Sequence, residues 1–147
     1  MWVETKELYL DLYDALVDDA EYLQSDSDGR NLLPEALIVG ALGSVLATFF
    51  NSYLGRLGQR AADTTADKAA QLLGRSGRGA DRKAVLEALA LLEPYLPELR
   101  SALEAELRAE QMHIADTLRE LGFPASAAYD VAGKVLETLR RSGGNTS

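Results

Sequence analysis

Apolar residues recur at helical spacing along almost the whole chain. Tyr9, Leu12, Leu16, Ala20 and Leu23 place one face on a helix over 3–23. Ser25-Asp-Ser-Asp-Gly29 interrupts it with turn formers. Pro34 suits the first turn of the next helix, where its missing N–H costs nothing, and the helical pattern then runs to Leu73. Gly74-Arg-Ser-Gly-Arg-Gly79 breaks the pattern again and reads as a hinge. A third helix is expected over 81–93, with Asp81 as its cap and Pro94 as its stop. A fourth is expected over 97–121, carrying the seam Leu99, Leu103, Leu107, Ile114, Leu118 and Leu121. Gly122 ends it, and a fifth follows over 124–140.

No segment alternates with a period of two. The expected fold is therefore all-α, with about five helices in a bundle organised by one long small-residue-rich central helix over 34–73. The organisation reads as an N-terminal helical hairpin (1–73), a Gly/Arg-rich linker (74–80), a C-terminal helical unit (81–141) and a disordered tail (142–147). At 147 residues these form one compact domain.

The central helix stands apart because residues 36–55 carry no charge. On a helical wheel they divide by size more than by polarity. Ile38, Leu42, Val45, Leu46, Phe49, Phe50 and Tyr53 form a bulky apolar face. Gly40, Gly43, Ser44, Ala47, Thr48 and Asn51 form a small-residue seam opposite. Glycine inside a helix costs roughly 1 kcal/mol against alanine, so Gly40 and Gly43 point to close approach by another helix. Past Gly55 the bulky side becomes Arg56, Arg60, Asp63, Asp67 and Gln71 and turns to water, while Ala61, Ala62, Thr65, Ala66, Ala69 and Ala70 continue the small side. The bulky face needs a cover over its first half only. Three covers fit it: the chain's other helices, a second protein chain, or lipid. Twenty residues at 1.5 Å each span a bilayer core of about 30 Å. Arg56 and Arg60 at one end would then face the cytoplasm.

Charge narrows the partners. A net charge of −8 repels phosphate backbones, so nucleic acid is not an expected partner. The absence of cysteine removes disulfides, thiolate metal sites and a cysteine nucleophile, and fits a reducing cytoplasm. Residues 1–24 carry acids throughout, unlike a secretory leader. The expected location is cytoplasmic, with membrane association as the variant the apolar helix allows.

Candidate chemistry is sparse. The loop 24–35 resembles the calcium loop of EF-hands, with Asp26, Asp28 and Glu35 at ligand positions; Gln24 stands where the leading Asp belongs, and no second loop follows. An acidic turn between helices is the simpler reading. His113, the one histidine, lies off the leucine seam near Glu110 and Asp116. Glu110-Gln-Met-His113 is a single Glu-x-x-His, where a di-iron bundle uses two. Gly74–Gly79 lacks the Gly-Lys-Ser/Thr ending of a phosphate loop. No catalytic residue, metal or cofactor is expected.

These observations point to a non-enzymatic helical module for protein–protein interaction or self-assembly. Its partner would be itself or another helical protein. If its bulky face is released, helix 36–55 could also enter a membrane, as toxin-like or immune-effector proteins of bacteria do. The alternative is a soluble bundle that binds a small apolar molecule between Phe49, Phe50, Tyr53 and the fourth helix.

Overall fold

A computed structural model describes residues 5–22, 34–58, 60–74, 77 and 79–143. The chain is all-α, with no strand among the described residues. α1 is Thr5–Val17, followed by a 3-10 turn at Ala20–Tyr22. α2 is Pro34–Phe49 and runs into a π turn at Phe50–Leu54. α3 is Arg60–Leu73 and α4 is Arg82–Leu92. A 3-10 turn at Glu93–Tyr95 leads to α5, Leu96–Arg100. α6 is Glu104–Glu120 and α7 is Ala125–Gly143. The expected calcium-like loop falls outside the described residues except for Pro34 and Glu35, as do residues 144–147 of the tail.

The long helix expected over 34–73 is two helices. Leu57 donates back to the Leu54 carbonyl at 3.2 Å, and Gly58 adopts φ +68°. That left-handed conformation ends helices and is open to glycine at little cost. The helix expected over 97–121 is also divided. The Ser101 hydroxyl takes the Pro97 carbonyl at 3.2 Å, and Leu103 turns extended with φ −66° and ψ 149°. Leu103 consequently leaves the apolar seam and is 70% exposed. Asp81 caps α4 by accepting from the Ala84 N–H at 2.8 Å.

α6 and α7 form an antiparallel hairpin. Gly122 closes it at φ +118°, and the Phe123 N–H returns to the Leu118 carbonyl at 3.1 Å. The buried Phe123 ring meets Tyr22 at 5.8 Å, which ties this turn to the end of α1. α1 lies across α7 and α4, and its Thr5 hydroxyl donates to Glu93 at 2.6 Å.

α2 sits inside this arrangement and touches α1, α3, α4 and α6. Every residue from Ile38 to Ala47 is buried. Phe49 and Phe50 are the largest wholly buried side chains. Each contributes roughly 2–3 kcal/mol of burial. α3 follows the expected small side only in part, because Ala61 and Ala70 are exposed. Ala62, Ala69 and Leu73 face inward, while Arg60, Asp63, Asp67 and Gln71 stay in water.

Candidate functional site

The bulky face of α2 and of its π turn is covered by the chain's own helices. Ile38, Leu42, Val45, Leu46, Phe49, Phe50 and Tyr53 are all at most 5% exposed. The Phe49 and Tyr53 rings stack with centroids 5.0 Å apart. Burial, with Glu98 and Glu106 adding to it, pushes the Tyr53 hydroxyl up to about 12.

The small-residue seam meets two different neighbours. Near its first half lies the glycine loop. A Cβ on Gly43 would strike the Gly77 carbonyl and the Ala80 side chain. A Cβ on Gly77 would strike the Gly43 carbonyl and the Ser44 nitrogen. Gly77 also holds φ +73°. The close approach that Gly43 signals is therefore made by a loop backbone, where a helix was expected. Gly77 is buried against α2 although it lies in the predicted hinge; Arg75, Ser76 and Arg78 lie outside the described residues. Gly40, Ser44 and Ala47 are buried in the same stretch.

The second half meets α6 through polar groups. Thr48 and Thr117 share a hydroxyl–hydroxyl bond at 2.6 Å. One turn on, the Ser52 hydroxyl donates to the Thr48 carbonyl at 2.8 Å and also lies in hydrogen-bond contact with Glu110 Oε1. Arg56 completes the cluster. Its Nη2 donates to Glu110 Oε2 at 2.6 Å and its Nε to the Ser52 carbonyl at 3.0 Å. The Glu110 side chain has no exposure, whereas that of Arg56 is 47% exposed. Burial raises the Glu110 carboxyl above its ordinary value, against opposing effects of Ser52, Arg56 and His113. Asn51, assigned to the seam from the wheel, is exposed.

The cluster sits on the π turn. An i→i+5 turn widens the helix locally and frees backbone groups, and such turns recur at functional sites. Here the Arg56 Nε donates to a carbonyl within the turn, that of Ser52. Among the described residues no buried side-chain nitrogen or oxygen lacks a partner.

Sequence reasoning passed over Ser52, Arg56 and Glu110 as a group. One signal was present. Glu110 lies three residues after Leu107 and four before Ile114, so it occupies an apolar-seam position of α6. His113 is exposed and its carbonyl accepts from Thr117 at 3.3 Å. No group of three or more metal-ligating side chains occurs among the described residues. Among the described residues one helical stretch, Glu35–Leu54, is long and apolar enough to cross a membrane, and most of it is buried inside the bundle. No family model, curated protein or solved structure matches the chain.

Proposed function

We propose that the protein is a non-enzymatic helical module that acts by exposing α2, which it stores inside the bundle and delivers to a bilayer on opening. One observation carries this reading. Past Glu35, α2 and its π turn carry no charge and are enclosed by four other helices, yet their flank toward α6 is polar. Their remaining sides are apolar, and a helix so nearly apolar all round belongs in a core or in lipid. A stripe of Gly40, Gly43, Ser44, Ala47 and Thr48 is also what packs helices against one another within lipid. The same residues that receive α6 and the glycine loop in the closed form would join copies of α2 in the open one.

Flotation with vesicles of phosphatidylethanolamine and phosphatidylglycerol tests this, with the full chain purified without detergent. The expected result is flotation that resists high salt and is abolished by Phe49→Asp. Protein that stays at the bottom under all conditions, including mild urea that loosens the bundle, overturns it. The alternative, a small apolar ligand between Phe49, Phe50, Tyr53 and α6, would need the same core to open, because those three side chains are at most 5% exposed.

A further inference from the structure

The hydroxyl of Ser52 presents an accounting problem. It has one hydrogen and lone pairs to accept with. Two acceptors face it, the Thr48 carbonyl and Glu110 Oε1. If Glu110 is ionised, both compete for the same hydrogen and one bond is lost. If Glu110 carries a proton on Oε1, the carboxyl donates to Ser52, Ser52 donates to Thr48, and Oε2 still accepts from Arg56. Only the protonated carboxyl makes every bond in the cluster.

Burial points the same way. The Glu110 side chain is wholly enclosed, while Arg56 is half in water, where its charge is screened. The surroundings offer little more. Tyr53 in the π turn and Arg56 just beyond it face Glu110. On α6 itself, His113 is one turn away and exposed, Glu106 lies a turn before it, and Arg108 pairs with Glu104 at the surface. The charges of α7, which packs on the other flank of α6, are Asp130, Lys134, Glu137, Arg140 and Arg141, all exposed.

We propose that Glu110 holds a proton in the closed bundle and gives it up to water when α6 parts from α2, so that this proton keeps the apolar helix covered. The proton count stands by itself. Its role in releasing α2 rests on the function proposed above. The sign runs opposite to acid-triggered insertion. A carboxyl whose folded value is raised stabilises the closed form fully below the ordinary carboxylate range. That contribution is lost as pH rises through the folded value, so rising pH shifts Glu110 toward favouring opening.

The direct test is a carboxyl ¹³C titration of the full-length wild-type chain, with Glu110 assigned through its backbone. A midpoint above the glutamate reference of about 4.3 is expected; a midpoint at or below it overturns the proposal. Glu110→Gln then serves as a permanent mimic of the protonated form. Its urea midpoint is expected to exceed that of wild type by a margin that grows from pH 5 to pH 7.5. A margin that is constant, shrinking or negative across that range overturns the proposal. Should the variant not fold, the wild-type titration decides alone. Each unit by which the midpoint is raised corresponds to about a tenfold lower open-to-closed ratio in the variant at neutral pH. Flotation of the two proteins separates the claims. A raised midpoint without flotation of either leaves the proton in place and removes the membrane function. Flotation with an ordinary midpoint does the reverse.

Discussion

The two halves of α2 are held by different physics. The first half is locked by shape, with the Gly43 and Gly77 backbones too close for any side chain between them. The second half is joined by hydrogen bonds, Thr48 to Thr117 and Ser52 to Glu110, with Arg56 at the rim. A shape lock has no titratable group and no graded response. A polar clasp can be adjusted by one proton or one solvent molecule. A helix closed by both is fixed at one end and adjustable at the other, so opening should start at the π turn and α6.

That contrast can be broken most forcefully at the glycines. Gly77→Val places a branched side chain into the α2 backbone at a positive φ. Overpacking and the left-handed conformation together cost about 4 kcal/mol. Loss of a cooperative thermal transition is the expected result, and a transition within a few degrees of wild type would show that the lock is not tight. The clasp end should answer more mildly. Arg56→Ala removes a charge-assisted bond from Glu110, but half of that side chain is in water, so about 1–2 kcal/mol is expected. Hydrogen exchange should quicken in α6 before it does around Gly43; the opposite order would reverse the assignment of the two ends.

Smaller effects sharpen the picture. Thr48→Val keeps the shape and removes one hydroxyl, leaving Thr117 to its bond with the His113 carbonyl. About 1 kcal/mol is expected in urea unfolding. Tyr53→Phe should be nearly silent at neutral pH. The Tyr53 hydroxyl is raised from 10.0 to about 12, so its contribution is complete below pH 10 and is lost as pH climbs through the raised value. In alkaline titration the Phe variant should therefore outlast wild type above pH 10. Identical alkaline midpoints would mean that Tyr53 reaches solvent.

Much of this was legible in the chain. Periodicity gave the helical class, the Asp81 cap and the Gly122 turn, because each depends on neighbours in sequence. The wheel gave the bulky face of α2, all of which is buried. The breaks at Gly58 and Leu103 were harder to read. Glycine is tolerated inside helices, as Gly43 and Gly133 show here, so Gly58 alone does not mark an end. The cluster was the least legible part. Ser52 and Glu110 are 58 positions apart. The π turn that orients Ser52 and Arg56 follows from packing, and no local pattern announces it. Only the seam position of Glu110 carried a trace, and it resembled an ordinary surface acid.

The central position of α2 has a consequence for synthesis of the chain. Leu54 is made 66 residues before Glu120, the end of the helix that flanks it. At cellular translation rates that interval is roughly 3–13 s. At its start the nascent chain carries a charge-free apolar segment without α3, α4 or α6, three of the four helices that finally cover it. A protein that conceals this helix when folded thus first presents it at the ribosome, where whatever binds apolar segments competes with folding.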